Sequence, residues 1–366
     1  VEHLRHWAPE VRFWGLGGPD LARQGVDLMA GLDDLAVMGF AEVARRLRYF
    51  LRLERDLVAR LKDGQADLVL AVDYPGLNLR LARKARELGI PVLYYISPQV
   101  WAWKAHRAGH LARDARHVAV ILPFEEPLLR EVGASVTFVG HPLLDRDEVP
   151  ARQRAELRAG LGVGPDQRLI ALLPGSRRQE LDRHLDPFVD AARRLEARFD
   201  GARAVLAAAP GVDEQLLAST GLPVTHHTRA LLLESHVALV KSGTSTLEAA
   251  LAGVPFACAY RTSALTWMLA RRLVRVPHIA LANLVAGERV VPELLQHEVD
   301  GERLAAAVEP LMDDGPERRA QLAGLDRVRS ALGGPGAAER TARLALDLLE
   351  TGRRGPETID ARSDAR

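Results

Sequence analysis

The sequence predicts a parallel α/β protein built as two successive halves. Three observations carry that expectation. Short apolar runs alternate with stretches of helical periodicity along most of the chain, as strands buried on both faces by crossover helices require. The alternation stops at Gly140-His141-Pro142 and then restarts with the same rhythm. The length, 366 residues, exceeds the roughly 250–300 residues at which a single core stops growing.

Taken in order, residues 1–9 read as the closing turns of a helix that runs into a strand at 11–15. Such a start lies in the middle of a unit. The expectation is a first sheet whose first strand is missing, with two strand edges uncovered and one wall of the ligand crevice lost. Residues 44–53 mix arginines with bulky apolar side chains, and both a packed helix and a membrane-surface segment fit them. Residues 68–72 form the next strand, followed by Leu77, Leu81, Ala85 and Leu88 at helical spacing before Gly89. Strands at 92–96, 117–122 and 136–139 complete a first domain taken as 1–145. A second domain, 146–335, carries strands at 169–173, 204–207 and 237–240, so that two Rossmann-like halves stand in tandem. Within it Leu265, Met268, Leu269 and Leu273 recur at a helical spacing that implies core, and Arg271, Arg272 and Arg275 flank them as cations available to anionic lipid. Past residue 300 the pattern is helical only. Residues 336–352 are expected to be a closing helix that crosses back to the first domain or reaches a partner, and 353–366, polar and aperiodic, a disordered tail.

Composition narrows the function classes. Lys plus Arg, 49, nearly balance Asp plus Glu, 48, so no global field draws the chain to nucleic acid and any anionic ligand must be gripped locally. The one cysteine, Cys258, sits in an apolar run, which rules out an internal disulfide and fits a buried residue in a reducing compartment. No apolar stretch approaches the roughly 18 residues of a membrane span, and the N-terminus carries no signal-peptide pattern. The expected location is the cytoplasm.

Four constellations bear chemistry. Leu172-Leu173-Pro174-Gly175-Ser176-Arg177 is a strand followed by a Gly-Ser turn into a helix; it aims backbone N–H groups, a positive helix end and the fixed fork of Arg177 at an anion, where the plainer reading is an ordinary strand-to-helix turn. Lys241-Ser242-Gly243-Thr244-Ser245-Thr246-Leu247-Glu248 repeats the arrangement: Gly243 permits close backbone approach, the hydroxyls cap the helix or touch phosphate, and Glu248, about one turn in, is placed for a ribose diol, where the plainer reading is a capping arrangement. Two anion-suited turns in one half point to a nucleotide diphosphate. Asp73 follows a first-half strand, where open sheets place their ligands, and there a carboxylate serves either as a general base or as a turn former. Finally Trp101, Trp103, Lys104, His106 and Arg107 crowd one loop, as core aromatics beside a solvated helix face or as an amphipathic rim for a lipid or phosphorylated acceptor. There is no Cys/His cluster at ligand spacing and no Asp-x-Asp pair, so no metal or other cofactor is expected. Dehydrogenase and Walker-type NTPase motifs are absent as well.

Taken together, Asp34-Leu35-Ala36-Val37-Met38-Gly39-Phe40-Ala41-Glu42-Val43, Val72-Asp73-Tyr74-Pro75, Ser97-Pro98-Gln99-Val100-Trp101-Ala102-Trp103, Leu122-Pro123-Phe124-Glu125, Phe138-Val139-Gly140-His141-Pro142, Leu173-Pro174-Gly175-Ser176-Arg177, Ser242 through Glu248, Tyr260-Arg261 and Asn283-Leu284-Val285-Ala286-Gly287 resemble, in order, the lipid-A-disaccharide synthase family. The resemblance implies an α/β fold of GT-B type, two Rossmann-like domains facing across a cleft, with a helical C-terminal segment. It implies an inverting transferase that joins UDP-2,3-diacylglucosamine to 2,3-diacylglucosamine 1-phosphate, releasing UDP and forming a β-1,6 linkage. By the same resemblance Asp73 matches the base and Arg177 a diphosphate contact. Ser242, Gly243, Thr244, Glu248 and Asn283 match the UDP-sugar side, to which the first turn adds Gly175 and Ser176 as candidates; Trp101, Trp103, Lys104 and Arg107 are the candidate acceptor- or lipid-binding residues. It further implies a homodimer formed through C-terminal parts and peripheral attachment to the cytoplasmic face of the inner membrane. Two departures stand out: the family's Gly-Glu-x-Ser-Gly-Asp loop after the first strand is not found, and position 76 is Gly where the family usually has Asp.

Two other classes stay open on sequence. One is a different GT-B enzyme acting on UDP-N-acetylglucosamine, a transferase or a 2-epimerase. The other is a non-catalytic remnant that binds nucleotide or lipid.

Overall fold

The computed structural model describes residues 1–31, 40–99, 106–164, 167–264, 266–268 and 276–354, excepting the side chains of 40–47, 106–107 and 352–354. It forms two compact units, Val1–Pro142 with Pro335–Arg366, and Leu143–Gly334.

The first unit runs α1 (Glu2–Trp7), β1 (Trp14–Gly17), α2 (Pro19–Arg23), β2 (Asp27–Gly31), α3 (Phe40–Lys62), β3 (Val69–Val72), α4 (Pro75–Glu87), β4 (Val92–Tyr95), α5 (His106–Asp114), β5 (His117–Val120), α6 (Glu125–Glu131) and β6 (Val136–Phe138). Every strand pair is parallel, but the strands fall into two sheets, β1-β2 and β3-β4-β5-β6. Among the described residues β3 is therefore an edge. Its Leu70 and Val72 are 38% and 45% exposed, whereas Leu93 and Tyr94 of the adjacent β4 are fully buried. Trp14 fastens the small sheet to the rest: its ring packs against the cluster holding Ala71 and Tyr94, and its Nε1 donates to Gln65 O at 2.7 Å. α3 is a packed helix along its C-terminal part, where Leu53, Leu57 and Leu61 recur at four-residue spacing and are buried.

The second unit contains α7 (Ala151–Gly160), β7 (Leu169–Leu173), α8 (Arg178–Arg198), β8 (Arg203–Ala207), α9 (Glu214–Ala218), β9 (Val224–Thr225), α10 (Thr228–Glu234), β10 (Ser235–Lys241), α11 (Ser245–Leu251), β11 (Phe256–Tyr260), α12 (Leu281–Ala286), β12 (Glu293–Leu295), α13 (Gly301–Val308) and α14 (Pro316–Ala331). Among the described residues its six parallel strands lie in the order β12-β11-β10-β7-β8-β9. The chain steps outward from β7 to β9, then returns to lay β10 on the other side of β7. The boundary between β7 and β10 is thus the topological switch point, where helices leave on opposite faces and a crevice opens beyond the strand ends. All five residues of β7 are buried, as a central strand covered on both faces must be.

The closing helix α15 (Ala337–Arg354) belongs to the first unit. Its Ala342 and Ala345 pack with Leu4, Leu93, Ala119 and Val139, and Arg340 Nε donates to Val139 O at 2.8 Å. The small alanines let the helix approach the sheet closely. The expected tail, 353–366, falls almost wholly outside the described residues. The expectation that Met268 is core is corrected: its side chain is 50% exposed. A helical spacing of apolar residues fixes a face but not what covers it. Leu265, Leu269, Leu273, Arg271, Arg272 and Arg275 lie outside the described residues.

Candidate functional site

In the second unit β7 and β10 are hydrogen-bonded neighbours, with Val240 opposite Leu173, so both glycine turns leave the sheet side by side at the switch point. Gly175 has φ +131°, and a Cβ there would lie 2.6 Å from Glu180 Cβ; only glycine fits. Gly243 has φ +146°, again a conformation that side chains rarely adopt. Arg177 caps the start of α8 in extended conformation, and its side chain is 59% exposed. A permanently charged fork therefore stands at the positive end of a long helix.

Glu180 organises this turn, a role that sequence reasoning missed. Its Oε2 accepts from Ser176 N–H at 3.0 Å, its Oε1 accepts from Lys241 Nζ at 2.8 Å, and the Arg177 guanidinium lies 3.7 Å from Oε1. Burial pushes the Glu180 carboxyl up, but the Lys241 and Ser176 hydrogen bonds outweigh it and hold the group below its ordinary value. One sequence signal was available: Glu180 lies three residues after the helix cap, the spacing at which a carboxylate reaches back to N-terminal N–H groups. Ser176 itself is exposed, but its N–H is already engaged, so a ligand at this turn meets the Ser176 hydroxyl and Arg177 rather than that amide.

The second turn differs from its sequence reading. Thr244 is exposed and makes no side-chain cap, and with Gly243 it is the part of the turn open to a ligand. Ser242 is buried and its hydroxyl donates to Ile279 O at 2.9 Å, bracing β10 against the chain before α12. Glu248 is held by Arg146, whose guanidinium donates to Oε1 at 2.8 Å. Asn283 is corrected from ligand contact to scaffold. It is fully buried; its Nδ2 donates to Val291 O and Glu293 Oε1, and its Oδ1 accepts from the N–H groups of Val290 and Val291. Two donor and two acceptor bonds use the whole amide, leaving nothing for a nucleotide. A sequence motif marks such a residue but does not distinguish a ligand from the brace beside it.

In the first unit Asp73 follows β3 and still closes the ladder, its N–H donating to Tyr95 O at 2.9 Å. The chain then bends sharply: Asp73 and Tyr74 have φ +45° and +43°, two consecutive non-glycine residues in the left-handed region, each costing roughly 1–3 kcal/mol. Asn78 compensates. Its Nδ2 donates to Val72 O at 3.0 Å and Asp73 O at 2.8 Å, and Tyr94 Oη donates to Asp73 O at 2.7 Å. Desolvation raises the Asp73 carboxyl above its ordinary value, against a hydrogen bond from Tyr74 N–H that lowers it. A carboxylate raised in this way is a stronger base than a free one. Trp101, Trp103 and Lys104 lie outside the described residues, as does the side chain of Arg107.

Among the described residues no group of three or more His, Cys, Asp or Glu side chains is arranged to hold a metal ion. No described helix is long and apolar enough to cross a membrane.

Parallel sheets with glycine turns at a switch point are Rossmann-like, and solved structures of GT-B type share the fold. The UDP-GlcNAc 2-epimerase from Neisseria meningitidis bound to UDP-GlcNAc has a TM-score of 0.62 at 13% identity, covering 92% of this chain and all of that one. The calicheamicin glycosyltransferase CalG4 gives 0.55 at 18%, covering 97% and 94%. At such identities the likeness speaks for the fold. Sequence decides among the branches: the profile described as lipid-A-disaccharide synthetase matches residues 1–345. The lipid-A-disaccharide synthase of Syntrophus aciditrophicus (strain SB) is 42% identical over 350 residues, 93% of this chain and 91% of that protein. That of Anaeromyxobacter dehalogenans (strain 2CP-C) is 41% identical over 357 residues, 95% and 93%. The chain belongs to the lipid-A-disaccharide synthetase family, and is a glycosyltransferase.

Proposed function

We propose that this chain transfers the sugar of UDP-2,3-diacylglucosamine to the 6-hydroxyl of 2,3-diacylglucosamine 1-phosphate, giving the lipid A disaccharide 1-phosphate and UDP. The observation that carries the reading is the pair of glycine turns at the ends of β7 and β10, with Arg177 at the mouth of the first. In this reading Gly175, Ser176, Arg177, Gly243 and Thr244 hold the nucleotide diphosphate. Ser242, Glu248 and Asn283 keep that frame in shape.

The first unit supplies the base. As the acceptor oxygen forms its bond to the anomeric carbon on the face opposite the leaving group, Asp73 takes the hydroxyl proton and the C–O bond to UDP breaks. The configuration inverts. Charge building on the departing diphosphate is met by Arg177 and the α8 end, which is why the proposal includes no metal. Both substrates carry acyl chains, so the enzyme works on a membrane surface without spanning it. The test is transfer itself: Asp73→Asn, which keeps shape and removes the base, lowers turnover by about a hundredfold or more. Near-normal turnover in that variant removes Asp73 from the mechanism.

A further inference from the structure

We infer that Glu180 and Lys241 form a positioning pair that sets the two diphosphate turns relative to each other, and so govern affinity for the nucleotide. This rests on the diphosphate reading above. The two side chains come from different elements, 61 residues apart, and are only 16% and 18% exposed. The carboxylate reaches the first turn through Ser176 N–H. The ammonium reaches the second, because Lys241 Nζ lies 3.9 Å from where a Cβ on Gly243 would be. The last residue pair of the ladder joining these strands is Val240 with Leu173, so beyond it the backbone no longer fixes the spacing of the turns. The ion pair takes over there.

One turn further along the same helix face, His184 does similar work. Its Nδ1 donates to Glu180 O at 2.8 Å, and its Nε2 accepts from Arg261 N–H at 2.9 Å, at the end of β11. The first two turns of α8 are thereby tied to the ends of β10 and β11. A half-buried ion pair is a poor choice for stability alone, because desolvating two charges cancels much of their attraction. What it adds over an apolar pair is direction: each partner has fixed donors and acceptors. It also leaves one net positive charge at the turn once Arg177 is included, which suits a diphosphate.

The experiment is UDP titration by calorimetry into the full chain and its Glu180→Ala, Glu180→Gln, Lys241→Met, Glu180→Ala/Lys241→Met and Arg177→Ala variants. Each has its thermal midpoint measured as a check of folding. Glu180→Ala and Lys241→Met are each expected to weaken UDP on the order of tenfold, since small misplacements of binding groups cost that much or more. The double variant should be no weaker than the worse single, as for groups acting as a unit. Glu180→Gln, which keeps an acceptor for Ser176 N–H, should recover part of the loss. In steady state KM for the nucleotide sugar rises and KM for the acceptor stays the same. Unchanged UDP affinity in Glu180→Gln and Lys241→Met, with loss in Arg177→Ala, overturns the positioning role and leaves the diphosphate reading standing. Losses that simply add in the double variant overturn the pairing. Unchanged affinity in Arg177→Ala as well removes the diphosphate reading, and this inference with it.

Discussion

Acid should loosen the second unit through His184. Its imidazole is buried on α8 and set edge-on to Phe188, with ring centroids 6.1 Å apart. The partners fix its state: a carbonyl oxygen can only accept, so Nδ1 carries the proton, and a backbone N–H can only donate, so Nε2 is bare. Protonating Nε2 breaks the bond to Arg261 and buries a charge beside Lys241 and Arg183. Desolvation, with those two cations and against Glu180, lowers the His184 pKa from 6.5 to about 4. The unfolded chain therefore binds a proton at this site between pH 6.5 and about 4 while the native chain does not, and stability falls as pH falls through that window. At 1.36 kcal/mol per unit of pKa difference, the loss at pH 4.5 comes to about 2–3 kcal/mol. Glu180, whose carboxyl is depressed, adds a loss of the same sign at lower pH. The assay is urea unfolding at pH 7.5 and 4.5 for the native chain and His184→Gln, comparing the change between the two pH values rather than either value. The variant is less stable at pH 7.5 and loses about 2–3 kcal/mol less on acidification. Equal pH dependence in the two proteins refutes the assignment.

Three further outcomes follow from the first unit and from the proposed chemistry. If Asp73 is the base, kcat/KM falls as pH drops through its raised pKa, so the acidic limb of the pH–rate profile lies above the ordinary aspartate value of about 3.9; a profile flat down to that value contradicts the role. Asn78→Ala frees the Val72 carbonyl, leaves Asp73 O with the Tyr94 hydroxyl as its one side-chain donor, and lets the left-handed pair relax, so turnover drops on the order of tenfold. UDP affinity, a property of the second unit, stays the same in that variant, and unchanged turnover would show that Asp73 needs no such support. Transfer measured in excess EDTA should equal transfer without it; a loss restored by Mg²⁺ contradicts the assignment of the leaving-group charge to protein cations.

The fold was legible where the chain is regular. Runs such as 169–173 and 92–96 are wholly apolar because β7 and β4 are covered on both faces, and the sequence reading placed them within a residue or so. β11 went unread as a strand, since a five-residue apolar run containing Cys258 and preceded by Pro255 fits a buried helix turn as well. β9 and β12, two and three residues long, are too short to show a period, and β2 offers only Leu28, Met29 and Ala30 between Asp27 and Gly31. The glycine turns were legible because Gly175 and Gly243 obey a local steric rule. Their supports were not. Glu180 with Lys241, His184 with Arg261, and Asn78 with the Val72 and Asp73 carbonyls are joined by side-chain geometry that no local pattern encodes. The same limit misassigned Asn283 and Ser242, whose neighbours in sequence look like ligand contacts but whose polar atoms are turned into the protein.

A nucleotide diphosphate bound by the turns after β7 and β10 is the centre of the proposed chemistry. Its most direct measurement is the affinity of UDP for the chain with Arg177 intact and with Arg177→Ala. A charge-assisted hydrogen bond contributes about 1.5–3 kcal/mol, so the account predicts binding by the native chain and a loss of tenfold or more in the variant. Equal affinity in the two proteins, or no UDP binding by the native chain, contradicts it.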